Sequence, residues 1–189
     1  MDALSIPTAT FLGHSMSGMT GPVLAATYPD RINALVLIGP VYPNEAITPV
    51  FEDRITKVAA HGMEVMADTV PFAALGSKAQ DVHRAFVREL ILGMPPDGYI
   101  GLCRVVADAW KDPPKYAQAK CPVVILAGSE DKSAPMEGCE KILGELGSTR
   151  KEIKTMHGVG HWHCIEDGAE VARLTEEFLS SVQSEIVSR

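Results

Sequence analysis

The sequence lacks two features that mark whole classes of protein: a cluster of basic residues and a long apolar run. Lysine and arginine number 17 against 24 aspartate and glutamate residues, so the formal net charge is −7 at pH 7. An acidic chain without a basic patch argues against nucleic acid or a membrane surface as its main partner. The longest apolar runs, 34–38 and 123–127, are far too short to span a bilayer. We therefore expect a small-molecule substrate instead.

Cysteine is also scarce, and its spacing matches no zinc or redox motif. The 189 residues include 4 cysteines, which are Cys103, Cys121, Cys139 and Cys164. A chain of this size does not need disulfides for stability. The start Met1-Asp2 has neither the basic residues nor the apolar core of a signal peptide. We expect reduced thiols and a cytoplasmic protein.

The composition that remains is that of an ordinary globular protein. Apolar residues make up 46% and charged residues 22%, which excludes disordered and fibrous classes. The length of 189 residues suggests one domain or slightly more.

Four short segments have the pattern of β-strands. The runs 34–38 and 123–127 are continuously apolar, which suits strands buried on both faces of a sheet. The segment 8–12 is a shorter β-type run that ends at Gly13, and 150–156 has the pattern of a more exposed strand.

Helices are predicted between and after these strands. The stretch 16–28 can form a helix, although Gly18, Gly21 and Pro22 weaken it. Another helix follows 123–127, and an amphipathic helix closes the chain. Their apolar positions are Cys139, Ile142, Leu143 and Leu146, then Val171, Leu174, Phe178 and Val182. Strands separated by helices indicate a parallel sheet in an α/β fold.

The segment 43–118 interrupts this alternation. We expect it to be helical, with breaks at Pro71, Pro95-Pro96 and Pro113-Pro114. Three apolar stripes at helical spacing support this prediction. They are Phe51, Ile55, Val58 and Ala59; Val82, Phe86 and Leu90; and Leu102, Val106 and Trp110. Because the segment has no low-complexity composition and no repeat, we interpret it as an insertion rather than a linker.

The most informative motif is Gly13-His14-Ser15-Met16-Ser17-Gly18, between the first predicted strand and the first helix. A serine at such a junction lies on a tight turn that raises its hydroxyl above the sheet, with the next backbone N–H directed at the same point. An ordinary Gly/Ser loop would have a similar sequence, and Ser17 stands where G-x-S-x-G has its second glycine. Ser15 is therefore a candidate nucleophile, with the Met16 N–H as a candidate oxyanion donor.

A serine nucleophile needs a base and a carboxylate that orients the base. Asp131 follows the strand predicted at 123–127, at the edge where open α/β sheets place ligands. A role as a helix N-cap is compatible with this position. Glu130 is the second candidate acid, and Glu45 is a distant third.

The candidate base is His161 in Gly158-Val159-Gly160-His161, after the last predicted strand. His157 and His163 are the competing histidines, and we expect His163 to be a surface or pocket-rim group. The order Ser15, Asp131, His161, each just after its own strand, predicts a catalytic triad.

These motifs together resemble the α/β-hydrolase family, in its branch of small esterases and lactonases. The matching segments are Gly-His-Ser-Met at 13–16, Tyr-Pro-Asp-Arg-Ile at 28–32, Ala-Leu-Val-Leu-Ile-Gly at 34–39, Gly-x-x-Asp-x-x-x-Pro at 128–135 and Gly-x-Gly-His at 158–161. The stretch from Pro96-Asp97-Gly98-Tyr99 to Ala107 and the segment Cys121-Pro122-Val123 further resemble 3-oxoadipate enol-lactonase-type proteins.

The resemblance implies the C-terminal portion of an α/β-hydrolase fold, with strands five to eight of an eight-stranded sheet. The core is then 1–42 with 119–189, and 43–118 is a helical lid over the substrate pocket. It also implies chemistry without a cofactor or a metal.

Several side chains are candidates for substrate binding. Trp162 beside the base is the strongest, and the others are His14, Trp110 and Met63, with Met66, Phe72 and Leu90 as further pocket walls. Packing inside the lid is an equally good interpretation of each lid residue.

In the family that the chain resembles, four strands and two helices precede the nucleophile strand, which ordinary element lengths put at roughly 70–90 residues. Without that part, the strand at 8–12 lies at an open edge of the sheet. If the chain is a stable species, a second copy or another chain is expected to cover that edge. The alternative, which we favour, is that the sequence begins late. A second oxyanion donor, from a loop after the family's third strand, is expected to be missing too.

The function expected from these residues is hydrolysis of a carboxylic ester or lactone. A carbon–carbon bond hydrolase or a cofactor-free peroxidase-like protein would have the same triad and differ in the pocket. A third alternative is a catalytically impaired, truncated product that acts as a binding protein or has no function.

Overall fold

The computed structural model describes residues 1–187, with side chains described through Gln183. Four strands form one sheet and are hydrogen-bonded in chain order: β1 (Ala9–His14), β2 (Ile32–Ile38), β3 (Val123–Gly128) and β4 (Lys151–Met156). All three pairings are parallel. The predicted α/β class and the four predicted strands are confirmed.

Helices cover both faces of the sheet. The helices α1 (Ser17–Thr27) and α7 (Met136–Glu145) pack on one face. On the other face lies α9 (Gly168–Val187), which follows the short helix α8 (His163–Glu166). Each strand therefore ends next to a loop that leads into a helix, and the candidate site residues lie in these loops.

The apolar run in β2 explains why the sheet core forms there. Every residue of β2 is buried. Because side chains alternate along a strand, Leu35 and Leu37 join the cluster under α1 and α7, whereas Val36 and Ile38 join the cluster under α9. A strand buried on both faces needs an uninterrupted apolar sequence, which is why 34–38 was recognisable.

Five helices lie between β2 and β3. They are α2 (Thr48–His61), α3 (Glu64–Ala67), α4 (Val70–Ala73), α5 (Asp81–Leu92) and α6 (Pro96–Asp108). They share an apolar cluster formed by Val58, Met63, Met66, Ala67, Val87 and Ile91. Short 3-10 turns occur at Asp2–Leu4, Glu45–Ile47, Ala109–Lys111 and Tyr116–Gln118. The boundaries predicted for this segment, 43 and 118, remain a prediction.

One predicted stripe lies on a helix, as expected, but on its exposed face. Val82, Phe86 and Leu90 are 64%, 54% and 44% exposed, and α5 buries Val87 and Ile91 instead. A spacing of four residues shows which side chains share a helix face, but not which face points inward.

The third stripe was wrong in part. Val106 is buried and Leu102 is exposed, while Trp110 lies beyond the end of α6 in a 3-10 turn. Of the predicted breaks, Pro95-Pro96 falls at the start of α6, whereas Pro71 lies inside α4. Proline positions do not fix the rotation of a helix about its own axis.

The strand β1 forms one edge of the sheet, where the sequence predicts an open edge. Its Leu12 side chain is 50% exposed. Within residues 1–187, no helix is both long and apolar enough to cross a membrane.

Candidate active site

Ser15 lies on the turn between β1 and α1. Its backbone φ is +57°, in the left-handed region that residues other than glycine rarely adopt. The Ser15 N–H donates to the Ile38 carbonyl at 2.9 Å, and the Ser15 carbonyl accepts from the Gly18 N–H at 2.9 Å. These bonds hold the turn against the end of β2 and keep the hydroxyl at the carboxyl edge of the sheet.

The glycines of the motif allow this turn because two backbones approach closely. A Cβ on Gly13 would lie 2.6 Å from the Ser17 carbonyl oxygen, and one on Gly18 would lie 2.5 Å from the Pro40 Cβ. Both distances are shorter than van der Waals contact. Ser17 itself begins α1, so a serine is compatible with its place in the motif.

Asp131 is buried in the loop after β3. Its Oδ1 accepts from the backbone N–H groups of Ser133 at 2.8 Å and Ala134 at 2.9 Å, and its Oδ2 lies 2.9 Å from the His161 Nδ1. Burial raises the pKa of Asp131, but the hydrogen bond and charge of His161 and the Ala134 N–H outweigh it, so the pKa falls below its ordinary value. The side chain is therefore a carboxylate at neutral pH.

His161 connects this carboxylate to the serine. Its Nε2 lies 2.8 Å from the Ser15 Oγ. Because an ionised carboxylate only accepts hydrogen bonds, Nδ1 carries the proton and Nε2 has a free lone pair for the Ser15 hydroxyl. The structure thus brings Ser15, His161 and Asp131 into one hydrogen-bonded row.

Two further histidines lie around the His161 carbonyl. The His14 Nε2 is 2.6 Å and the His163 Nδ1 is 2.9 Å from this oxygen, so each ring donates an N–H to it. Burial is the main reason that the pKa of His14 is lowered to about 4. Burial also lowers the pKa of His163. Both rings are therefore neutral donors at pH 7.

The expectation that His163 lies at the surface was wrong, since it is fully buried. A Cβ on Gly39 would lie 2.6 Å from the His163 Cε1 and 3.0 Å from the Asp131 Oδ2, so His163 packs against the end of β2 beside the carboxylate. His157, the other competing histidine, is exposed.

Met16 precedes the first residue of α1. Its N–H belongs to the first turn, where helix N–H groups have no partner within the helix. The role of this N–H as an oxyanion donor stays a prediction.

The aromatic and apolar candidates occupy different places. Trp162 is half-buried, packs against the apolar cluster of the inserted helices, and has its ring centroid 6.2 Å from that of His14. Met63 is buried inside that cluster. Trp110 is half-buried in its 3-10 turn, with the Lys111 ammonium 5.9 Å from its ring centroid.

The other side chains predicted to form pocket walls differ in their burial. Met66 is buried in the same cluster as Met63, whereas Phe72 and Leu90 are exposed on the inserted helices. Only Trp162 and His14, of all the substrate-binding candidates, have rings in contact with one another beside His161.

The alternative acids have other partners. The carboxylate of Glu130 accepts from the Ser77 Oγ at 2.6 Å and from the Ser77 N–H at 2.7 Å, and these bonds hold the pKa of Glu130 below its ordinary value. Glu45 is exposed in a 3-10 turn.

Sequence reasoning missed Glu166, which is 6% exposed in α8. Its carboxylate accepts from the N–H groups of Gly76 at 2.7 Å, Gly160 at 2.9 Å and Trp162 at 3.0 Å. A side chain that bonds only to backbone leaves no motif, so nothing in the spacing could have identified it. In the part of the chain that the structure describes, no group of three or more His, Cys, Asp or Glu residues is arranged to hold a metal ion.

A family model described as serine aminopeptidase, S33, matches residues 5–168. Among curated proteins, 3-oxoadipate enol-lactonase 2 of Acinetobacter baylyi is 27% identical over 135 residues, which cover 69% of this chain and 49% of that protein. The 2-hydroxy-6-oxo-6-phenylhexa-2,4-dienoate hydrolase of Comamonas testosteroni is 24% identical, over 95% of this chain and 65% of its own length. The chain thus spans about half to two thirds of these relatives.

Solved structures have the same fold. The enol-lactonase from Burkholderia xenovorans LB400 superposes with a TM-score of 0.83 at 23% identity, covering 95% of this chain and 68% of the other. A thermophilic esterase from Thermogutta terrifontis has a TM-score of 0.80 at 19% identity, with 96% and 68% covered.

Proposed function

We propose that this chain, which belongs to the α/β-hydrolase superfamily, is a cofactor-free serine hydrolase of carboxylic esters or lactones. Its membership of the superfamily rests on its match to the serine aminopeptidase, S33 family and on its similarity to the enol-lactonase-like branch. The observation that carries the proposal is the row of hydrogen bonds from the Ser15 Oγ through His161 to the Asp131 carboxylate, at 2.8 Å and 2.9 Å. Nucleophile, base and orienting carboxylate are within proton-transfer distance without rearrangement.

In the proposed acylation step, the Ser15 Oγ forms a bond to the substrate carbonyl carbon while its proton moves to the His161 Nε2. The carbonyl electron pair moves to the oxygen, and the Met16 N–H donates to this oxyanion. When the tetrahedral intermediate collapses, the carbon–oxygen bond of the leaving group breaks. The imidazolium of His161 then gives its proton to that oxygen.

Deacylation repeats the sequence with water. His161 takes a proton from the water as it attacks the acyl carbon, and returns the proton to the Ser15 Oγ as the ester bond breaks. Asp131 stays ionised throughout and stabilises the imidazolium by its charge. In a lactone the leaving oxygen remains attached to the acyl group, so the product is a single hydroxy acid.

The Met16 N–H is the oxyanion donor that we assign. The proposed pocket lies between the edge of the sheet and the inserted helices, which we propose to be its lid. Trp162 and His14 lie beside the base, and we propose Trp110 and Met63 as parts of the pocket wall. The four cysteines, all free thiols, support a cytoplasmic location.

Fluorophosphonate labelling of the 189-residue chain tests this proposal. The probe forms a covalent bond only to a serine that a base activates, so we expect one label, at Ser15. The Ser15→Ala variant is the control, and the site is wrong if that variant is labelled as strongly as the wild type. An unlabelled chain that still melts cooperatively would favour the third alternative, a binding protein without catalysis.

A carbon–carbon bond hydrolase is the second candidate function, favoured by the Comamonas testosteroni relative, whose similarity extends over 95% of this chain. The same triad would serve this reaction, and the pocket would make the difference. A panel of esters, lactones and 2-hydroxy-6-oxohexadienoates separates the two by their relative kcat/KM. Hydrogen peroxide with a carboxylate, added to the panel, tests the peroxidase-like alternative.

A further inference from the structure

The backbone of His161 is held on both sides by groups other than Ser15 and Asp131. Its N–H donates to the Ala74 carbonyl at 2.7 Å, and its carbonyl accepts from the two histidine rings described above. The N–H groups of its two chain neighbours, Gly160 and Trp162, both donate to the carboxylate of Glu166. One buried carboxylate therefore fixes the peptide groups on either side of the base.

The same carboxylate binds the inserted segment. The Glu166 Oε2 that accepts from Gly160 also accepts from the Gly76 N–H at 2.7 Å. Gly76 lies in a stretch that we term the strap, residues 74–78. The Lys78 N–H donates to the Gly158 carbonyl at 2.9 Å. The strap therefore runs along residues 158–162, which carry His161 and which we term the base loop.

Glycine is required where the strap meets this loop. A Cβ on Gly76 would lie 2.5 Å from the Gly158 carbonyl oxygen and 2.6 Å from the Gly160 N. A Cβ on Gly160 would lie 2.5 Å from the Ala74 carbonyl oxygen. The two backbones are thus in direct contact, and a single added methyl group would separate them.

Glu166 has no ion-pair partner among the residues that the structure describes. A buried carboxylate needs hydrogen bonds in place of water, and three backbone N–H groups supply them here. These three hydrogen bonds fix the Glu166 carboxylate relative to the strap and the base loop. The same bonds hold the strap and the base loop next to each other.

We propose that Glu166 is a positioning residue, which holds the imidazole of His161 in line with Ser15 by clamping the base loop to the strap. This inference rests on the proposed function, because it assigns Glu166 a role through the proposed base. The inserted helices then contribute to catalysis through the backbone of the strap, in addition to any side chain that contacts substrate.

The test compares Glu166→Gln with Gly76→Ala and with the control Glu137→Gln. Glutamine keeps the volume of Glu166 but places an NH₂ group against one of the three donors. The Gly76→Ala methyl group displaces the strap while Glu166 remains. Glu137 is an exposed glutamate on α7 whose carboxylate pairs with Lys141, so its variant controls for the loss of a carboxylate.

Two readouts are measured on the folded fraction, as determined by thermal unfolding. The first is the rate constant of fluorophosphonate labelling, because a misplacement of about 1 Å can lower a rate about 10²-fold. The second is the low-field proton NMR resonance of the His161 Nδ1–H, identified by its loss in His161→Ala.

We expect labelling to slow at least about tenfold in Glu166→Gln and Gly76→Ala, with a shifted or broadened low-field resonance, and no change in Glu137→Gln. Wild-type rates and an unchanged resonance in both folded variants would show that Glu166 serves stability alone. If neither variant folds, amide exchange in the wild type decides, because exchange at Gly160 and Trp162 as fast as in an open loop contradicts the clamp. If the wild type itself is not labelled, the proposed function fails, and the NMR resonance still tests Glu166.

Discussion

Ser15 combines a strained backbone with well-satisfied hydrogen bonds. A residue other than glycine at φ +57° costs of order 1–3 kcal/mol. Two hydrogen bonds keep Ser15 in place: its N–H donates to the Ile38 carbonyl, and its own carbonyl accepts from the Gly18 N–H. The small residues around the turn leave room for this backbone conformation. Strain at this position exposes the hydroxyl above the sheet, where the base reaches it.

The Asp131→Asn variant should abolish most of the proposed activity without unfolding the chain. The asparagine Oδ1 can still accept from Ser133 and Ala134, but its NH₂ group would face the His161 Nδ1. That contact favours the tautomer with the proton on Nε2, which cannot accept a proton from Ser15. We expect kcat for ester hydrolysis to fall by about 10⁴-fold, as in other enzymes with this triad.

Steady-state hydrolysis and thermal melts of this variant, compared with wild type, provide the measurement. Activity within a factor of about ten of wild type would mean that Asp131 does not set the tautomer. The pKa of Asp131 is lowered, so wild-type activity should not depend on titration of this group near neutral pH.

The stability of the chain should fall on acidification because His14 is held neutral. Its pKa is about 4 in the folded chain, against an ordinary value of 6.5. Between these two values the unfolded chain binds more protons than the folded chain, so stability is complete above pH 6.5 and is lost as the pH falls toward about 4. The contribution amounts to up to about 3 kcal/mol.

The His14→Gln variant provides the comparison, since a glutamine NH₂ can donate to the His161 carbonyl without titrating. The free energy of unfolding, measured with denaturant from pH 7 to pH 4, should change less with pH in this variant than in the wild type. Part of the dependence should remain, because burial also lowers the pKa of His163. Equal slopes in both proteins would contradict the assignment to His14.

At the scale of the elements, the approach of α1 to the end of β2 depends on glycine. A methyl group on Gly18 would lie 2.5 Å from the Pro40 Cβ and 2.8 Å from its Cα, and overpacking of this kind costs about 1–3 kcal/mol. We expect Gly18→Ala to be destabilised by this amount. A wild-type melting temperature for this variant would mean that α1 can shift without cost.

The matched control is Gly144→Ala in α7, where an added Cβ meets nothing within 4 Å. Alanine has a higher helix propensity than glycine, so this change should stabilise the chain by about 0.5–1 kcal/mol. Equilibrium unfolding of the two variants, measured side by side, separates close packing from helix propensity.

The strands and the three proposed triad residues were predictable because each leaves a local signal. The continuous apolar runs around Leu35 and Ile125 mark buried strands, and a polar residue directly after a strand in an α/β sheet falls at one edge. Ser15, Asp131 and His161 each satisfy that rule.

Other features depend on tertiary contacts and leave no such signal. The orientation of Phe86 on α5 depends on which face of the helix meets the apolar cluster. The burial of His163 and the backbone contacts of Glu166 depend on how the loops lie against one another. Glutamate side chains are usually exposed and phenylalanine side chains are usually buried, so residue type predicts the opposite of the burial that Glu166 and Phe86 have.

At the scale of the whole molecule, the sheet has an edge strand that favours pairing with another chain. The strand β1 has the sequence ATFLGH, which contains none of the charged residues or prolines that usually protect an edge strand. Beside it, an open groove of about 790 Å³ is lined in part by Leu12, Val171 and Leu179. These features favour the expectation that a second copy or another chain covers the edge.

Multi-angle light scattering of the purified chain tests this expectation. We expect self-association at micromolar concentration, and less of it in Leu12→Lys, because a lysine on an edge strand opposes pairing. A monomeric wild type that melts cooperatively would rule out the second copy. A Glu137→Gln variant, which also raises the net charge by one, at an exposed position on α7, controls for the change in net charge.

The contact between the strap and the base loop has a consequence for chimeric proteins. A graft that replaces the inserted helices with those of another hydrolase would need more than a pocket of the right shape. The incoming segment would have to present a carbonyl to His161 and a glycine N–H to Glu166, at backbone spacing that tolerates no side chain. Recombination within this fold is therefore constrained at five residues of main chain rather than across the whole insertion.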